Sequence, residues 1–423
     1  MRRIINTPAC PADLKYANRF QVIGSFLDGR PHSANDVAYA TGLSRQTVKK
    51  SIQFFLDGGL LISDGKGDST IVGGKRPELF ALSRNRYFLC ITLWPLEQHV
   101  RLITIGNQPV DTVSMAEPLP DNPEAAIDHL GTLAAALLER NHLSRRDLCA
   151  VSLSTAGTLD YKAGCLKYSS QSPDWGTNVP VAAYLRKYVG PDVPIFLENA
   201  GKMTARPFLL EPELENKRVL VLFTCWGLSS CLIEKGRILS GKNSLIGEIG
   251  HMIIAPDDPE PCGCGSHGCM ERLVSSERIQ ALIRKERYRF PNASLLRLPL
   301  ESLTLRDVFD ASAGCDPLAR HLVDYLAQNF ATALRNICLV FDPDLIVFQG
   351  DYAYADPYFD VRLRKWLKEF QYFPADGPFE IRYDRRSLTQ MEAQGSFIAL
   401  VRYFFDSPEM YKEPPAEIAP EQP

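Results

Sequence analysis

His251, Cys262, Cys264 and Cys269 stand in the spacing His-x10-Cys-x-Cys-x4-Cys, within the segment GEIGHMIIAPDDPEPCGCGSHGCME. Three thiolates and an imidazole this close make a closed tetrahedral set, the usual ligand field of a structural zinc ion. Glycines at 263, 265 and 268 let the backbone wrap tightly around such an ion. His267 lies inside the same loop and competes as the nitrogen ligand. The expectation is one structural Zn(2+) per chain and no open catalytic metal position.

The other cysteines argue against a disulfide framework. The chain has 11, and Cys10, Cys90, Cys149, Cys165, Cys225, Cys231, Cys315 and Cys338 are scattered singly through apolar or mixed sequence. They read as reduced, mostly buried thiols. No run approaches the roughly 20 apolar residues of a membrane helix, and MRRIINTPACPADLK has no apolar stretch behind its arginines. A cytoplasmic protein with no membrane partner is expected.

Charge divides the chain unevenly. Residues 1–86 carry 13 Lys+Arg against 7 Asp+Glu, whereas the remainder is net acidic within an overall charge of −3. A basic head on an acidic body suits phosphate contacts at the head. At 423 residues, with 45% hydrophobic composition, the chain is long enough for two or three folding units.

The head reads as three short helices and a hairpin. Asn18–Asp28 places Phe20, Ile23, Phe26 and Leu27 on one helical face, and Asp28-Gly29-Arg30-Pro31 ends it. Ser33 is an N-cap for a second helix that turns Val37, Ala38 and Ala40 inward, and Thr41-Gly42-Leu43-Ser44 makes a tight turn. Ser44 caps a third helix, Arg45–Phe55, which buries Val48, Ile52 and Phe55. Its start exposes Arg45, Gln46, Thr47, Lys49 and Lys50, donors suited to phosphates and base edges. A strand from Leu60, a tip at Asp64-Gly65-Lys66-Gly67-Asp68 and a second strand at Ser69–Val72 then form a wing. This order predicts a winged helix-turn-helix over residues 1–82, with Ser44, Arg45, Gln46, Thr47, Lys49, Lys50 and Lys66 on double-stranded operator DNA.

From Tyr87 onward short apolar strands alternate with helices. Val151–Ser154, Ile195–Leu197, Val219–Phe223 and Leu345–Phe348 read as strands; Ala125–Glu139, Pro317–Cys338 and Gln390–Phe405 read as helices. An α/β body of two lobes over 83–407 follows. Residues 408–423, rich in Pro and Glu, are expected to be disordered.

The motifs then converge. Gly247-Glu248-Ile249-Gly250-His251 followed by Cys262-Gly263-Cys264-Gly265-Ser266-His267-Gly268-Cys269-Met270-Glu271 resembles the GExGH and CxCGxxGCxE hallmark of the ROK family of repressors, open reading frames and kinases. The resemblance extends through Ser154-Thr155-Ala156-Gly157, Trp175, Asn178-Val179-Pro180, Glu198-Asn199 and Phe341-Asp342-Pro343-Asp344. It implies an actin-like, sugar-kinase (ribonuclease H-like) body and, given the winged head, the regulator branch. It assigns His251 as the nitrogen ligand, within a zinc loop spanning 247–271. By position it also places sugar contacts on Gly157, Asn199, Glu248, His251 and Glu271.

Where the family's kinases carry an Asn-Asp pair, this chain reads Asn199-Ala200, and Ala200 has no basic group. General-base catalysis typically contributes about 10² to 10⁴-fold. The first phosphate loop appears as Cys90-Ile91-Thr92-Leu93-Trp94-Pro95-Leu96, without glycine. The second appears as Cys225-Trp226-Gly227-Leu228-Ser229, with one glycine and an indole. Phe348-Gln349-Gly350 keeps one glycine of a pair. These departures predict a catalytically dead body, with no catalytic residues, in a transcriptional repressor of sugar metabolism or transport genes. Lys202 suits a sugar or sugar-phosphate effector or else faces solvent. A homodimer or homotetramer is expected on the operator. The competing readings are a ROK sugar kinase and a protein-interaction scaffold without a sugar.

Overall fold

A computed structural model of the protein describes residues 11–67, 76–373 and 378–405. At the N-terminus α1 (Pro11–Gly24), β1 (His32–Ser33), α2 (Ala34–Thr41), α3 (Arg45–Asp57), β2 (Leu61–Lys66) and β3 (Glu78–Leu82) form three helices against a sheet of order β1-β3-β2. The arrangement suits a helix-turn-helix. Ser33 caps α2 reciprocally: its hydroxyl accepts from Asp36 N–H at 3.2 Å while the Asp36 carboxylate accepts from Ser33 N–H at 2.9 Å. Gly42, at φ 72°, ends α2, and Ser44 Oγ accepts from Thr47 N–H at 3.2 Å to start α3.

Three details differ from expectation. α1 begins earlier and ends at Gly24, so Phe26 enters the core from the turn that follows, not from the helix. Ala40 is exposed, because only Val37 of α2 points fully inward. Asp64, Gly65 and Lys66 belong to β2 and do not form a tip. Gly65, at φ +87°, sits in a register shift between Ser63 and Lys66, so the glycine serves a bulge. The strand paired with β2 is Glu78–Leu82, fixed by Ser63 Oγ donating to Glu78 at 2.9 Å. The expected strand at Ser69–Val72 and the tail at 408–423 lie outside the described residues.

Lobe I follows with β4 (Tyr87–Leu93), β5 (Gln98–Thr104), β6 (Pro109–Met115), α4 (Pro123–Arg140), β7 (Leu148–Thr155), β8 (Thr158–Asp160), β9 (Cys165–Tyr168), α5 (Val181–Val189), β10 (Ile195–Asn199) and α6 (Ala200–Ala205). Its main sheet has the order β10-β7-β4-β5-β6, with β10, β7 and β4 parallel. Strand alternation decides what covers each face. Leu89, Ile91 and Leu93 pack with α4 and α5, whereas Phe88 and Cys90 join a core containing Val22, Ile23 and Phe26 of the head. The head's core is therefore continuous with lobe I.

Lobe II contains β11 (Arg218–Thr224), β12 (Leu228–Glu234), β13 (Arg237–Ile238), α7 (Met270–Leu273), α8 (Ser276–Glu286), α9 (Leu305–Ala313), α10 (Pro317–Phe341), β14 (Leu345–Gly350), α11 (Pro357–Lys368) and β15 (Glu380–Tyr383). The sheet order is β13-β12-β11-β14-β15. α10 lays Phe330 against Phe348, Tyr352 and Phe359, and that aromatic layer fills the core. Among the described residues no helix is long and apolar enough to cross a membrane.

The last helix, α12 (Leu388–Phe405), returns to lobe I. Its Glu392 is fully buried and accepts from Thr92 Oγ1 at 2.7 Å, Arg101 Nη1 at 2.6 Å and Ser396 Oγ at 2.8 Å. Breaking such a pair strands the remaining charge. Glu392→Ala is expected to cost about 3–5 kcal/mol, read as a lowered urea midpoint, because Arg101 would stay buried without its carboxylate. An unchanged midpoint would show that water reaches Arg101.

Candidate functional site

His251 ends a short turn whose Gly250 lies so close to β12 that a Cβ there would stand 2.0 Å from Leu228 O. Bridges between Ile253 and Cys269 and between Pro261 and His267 fold the following loop back on itself. Cys262 N–H donates to Ser266 O at 2.8 Å and Gly265 N–H to Cys262 O at 2.9 Å, which forms a knuckle around Cys264. Gly268, at φ +71°, passes close enough to Ala255 that a Cβ would lie 1.9 Å from its carbonyl oxygen. The result gathers the ligand atoms of His251, Cys262, Cys264 and Cys269 within 4.8 Å of one another.

Cys262 Sγ lies 3.7 Å from His251 Nδ1 and Cys264 Sγ 3.6 Å from Cys269 Sγ. A tetrahedral ion with metal–sulfur bonds of about 2.3 Å spaces its ligands about 3.7 Å apart, so the set can hold one. His267 is not part of it. Its Nδ1 meets Asp258 O at 3.1 Å on the exposed side of the loop. Every other described cysteine is free as well; Cys90, Cys149, Cys231 and Cys338 are buried, and Cys315 is exposed.

The same loop sets two carboxylates beside β12. Glu248 follows Gly247, whose added Cβ would stand 2.1 Å from Ser230 O. Glu271 lies in the first turn of α7, and its Oε2 accepts from Leu228 N–H at 2.7 Å. Burial pushes both carboxyls above their usual range, with His251 opposing the shift at each. Lys202 also opposes it at Glu248 and is 3% exposed, so the solvent-facing alternative for this lysine is overturned.

From lobe I, pairing of β7 with β10 sets Ser154 beside Glu198 and Thr155 beside Asn199. Asn199 Oδ1 accepts from Gly201 and Lys202 N–H at 2.9 and 3.3 Å, and Nδ2 donates to Gly157 O at 3.0 Å. Much of its amide is thus committed to capping α6 and holding the Gly157 turn. Glu198 is anchored by Arg206 and by Tyr161 Oη at 2.9 Å. Gln171 completes the rim: a Cβ on Gly227 would meet Gln171 Nε2 at 2.7 Å and Glu271 Oε2 at 2.6 Å. Neither Tyr161, Arg206 nor Gln171 was expected, and none stands in a spacing that the sequence marks.

Ala200 is buried beside Trp94 and Phe223. Trp94 comes from the loop after β4 and Trp226 from the loop after β11. Their rings lie 4.8 Å apart, and Phe223 sits 6.2 and 6.0 Å from them. The two loops where glycines would cradle phosphates instead meet through an aromatic cluster. At the third loop Gln349 is fully buried and donates to Asp384 at 3.2 Å, while Gly350 is required by its approach to Thr224 O, 1.8 Å from an added Cβ.

On the head, Arg45, Gln46, Lys49 and Lys50 are exposed and line one shallow concavity together with Gln53. Ser44 and Thr47 bond each other at 2.9 Å and serve the cap. Lys66 is exposed at the end of β2.

This chain belongs to the ROK family, whose profile matches residues 102–400. It is 25% identical over 337 residues to the DNA-binding transcriptional dual regulator NagC of Escherichia coli K12, covering 77% of this chain and 78% of that protein. A glucokinase of Halalkalibacterium halodurans is 24% identical over 275 residues, covering 64% and 82%. Among solved structures, a ROK family transcriptional regulator homologous to the E. coli MLC protein superposes with a TM-score of 0.73 at 18% identity, over 93% of this chain and 99% of that one. A ROK glucokinase of Streptomyces griseus in complex with glucose and AMPPNP superposes at 0.59 and 19% identity, over 74% and 97%. The body thus has the ROK sugar-kinase-like fold.

Proposed function

We propose that this chain is a DNA-binding transcription regulator of sugar metabolism or transport genes, in which a winged helix-turn-helix (1–82) is governed by a ROK body (83–407) that has lost kinase activity. The observation that carries the reading is the exposed Arg45-Gln46-Lys49-Lys50 face of a capped helix, on a head whose core runs into lobe I. Such donors reach phosphates and base edges in a major groove. The likeness to NagC and to a ROK transcriptional regulator supports it. We assign a homodimer or homotetramer to the operator-bound form.

In the body, His251, Cys262, Cys264 and Cys269 would hold a structural zinc ion, which supplies loop rigidity and no chemistry. Glu248 and Glu271 would accept from sugar hydroxyls and Lys202 would donate to one or pair with a phosphate, while Gly157 and Asn199 shape the opposite wall. Ala200 leaves the attacking hydroxyl without a base, and Trp94 with Trp226 fills the ground on which backbone amides would bind phosphates. Purified protein is expected to form no ADP and no sugar phosphate from ATP with D-glucose, D-xylose or N-acetyl-D-glucosamine. Turnover above the sugar-free background would return the body to the kinases.

Selection of genomic fragments at fixed salt, repeated with those sugars and N-acetylglucosamine 6-phosphate, tests the regulator reading. A palindromic site whose occupancy changes with one sugar supports it. Absence of any specific site moves the weight to a protein-interaction scaffold.

A further inference from the structure

The spacer between His251 and Cys262, MIIAPDDPEP, carries three prolines and three carboxylates but no cation. Pro256, Pro259 and Pro261 lack the N–H that a strand or helix would use, and no such element forms there. Three thiolates around a divalent ion leave an excess of negative charge, which carboxylates alongside would repel unless cations answer them. Both answering cations come from the helices that follow. Arg278 of α8 donates from Nη2 to Asp258 Oδ1 at 2.5 Å and lies 3.6 Å from Glu260 Oε2; Arg272 of α7 lies 3.2 Å from that same oxygen. The Asp258 and Arg278 side chains are each 11% exposed, so the pair is largely shielded from solvent. Asp258 is the hub. Its Oδ1 also accepts from Glu260 N–H at 3.0 Å, and its carbonyl accepts from His267 Nδ1 at 3.1 Å, between Cys264 and Cys269. One aspartate therefore ties α8 to the spacer and to the cysteine knuckle together. Tyr325 of α10 faces the same group, where burial raises its phenol and Arg278 opposes the rise.

We infer that Arg278, acting through Asp258, is a positioning residue for the metal centre: it holds the spacer so that His251 and Cys262 present their ligand atoms to one ion. This rests on the zinc reading above. Arg278 is itself firmly placed, because its N–H donates to the Ser275 cap of α8 at 3.2 Å and the next residue, Ile279, is fully buried. The spacer has no such core of its own. An anchor on a packed helix removes freedom that the loop would otherwise lose on binding the ion, so its loss should weaken the metal more than the fold. Arg278 supplies no ligand atom.

Zinc release from the full-length protein to the chromophoric chelator pyridylazoresorcinol tests this. Arg278→Met, which keeps an unbranched side chain without the charge, should release zinc about 10 to 100-fold faster, and Arg278→Lys should recover part of the loss. Asp258→Asn should match Arg278→Met and decides the matter if that variant fails to fold. The double variant should be no faster than the faster single one, since both act through one contact. Arg362→Met, which removes the partly buried pair with Asp324 between α11 and α10, is the control for general destabilisation and should leave release unchanged. Wild-type release in Arg278→Met and Asp258→Asn, or equal acceleration in Arg362→Met, would overturn the assignment. A second measurement needs no metal: in chelated protein the buried Cys262 should be alkylated about tenfold faster in Arg278→Met than in wild type. If the wild type carries no zinc, the zinc reading fails by itself, and equal alkylation rates would show that Arg278 does not hold the loop either.

Discussion

Replacing Arg45, Lys49 and Lys50 together by alanine is expected to weaken binding to a selected operator by about 100-fold or more, with α3 still folded. The helix keeps its Ser44 cap and its buried Val48, Ile52 and Phe55, so circular dichroism should not change. Loss of a bidentate base contact by arginine costs about 1–3 kcal/mol, and each lysine lost from a phosphate lowers the salt slope by about one. The measurement is therefore a salt series, not a single dissociation constant. Full affinity with an unchanged slope would remove α3 from the interface and with it the proposed function.

Removing the metal should have an effect of similar size on the body. One zinc ion per chain is expected in protein purified under reducing conditions, and chelation should lower lobe II stability by about 3–4 kcal/mol, the value for a ligand a few hundredfold above its dissociation constant. Glu271 lies two residues past Cys269, so on the sugar-binding role proposed for it, affinity for the sugar should fall with the metal. Protein without zinc, with thiols 262, 264 and 269 freely alkylated, would exclude the centre.

These sites differed in how openly the sequence carried them. The metal loop was legible because its ligands are close in the chain and glycines mark its bends. The parallel strands of both lobes were legible as apolar runs, and α12 as a helix over most of its length. Its role was not, since the pairs it makes, such as Thr92 with Glu392, are 300 residues apart. The hairpin tip expected at 64–68 was misplaced because Gly65 looks like a turn residue, and only the pairing partner shows that it occupies a bulge. Asn199 was expected to face a sugar. That its amide is largely used by Gly201, Lys202 and Gly157 depends on the geometry of two elements that meet only in the fold.

The indoles between the lobes also have an optical meaning. Of the chain's 4 tryptophans, Trp94 belongs to lobe I and Trp226 to lobe II, and their rings are 4.8 Å apart. Trp175 and Trp366 each lie within a single lobe, where relative movement leaves their surroundings intact. Separation of the lobes would pull the Trp94–Trp226 pair open and wet it, while the other two emitters stay constant. The molecule thus carries its own unlabelled gauge of lobe angle, readable in ultraviolet emission.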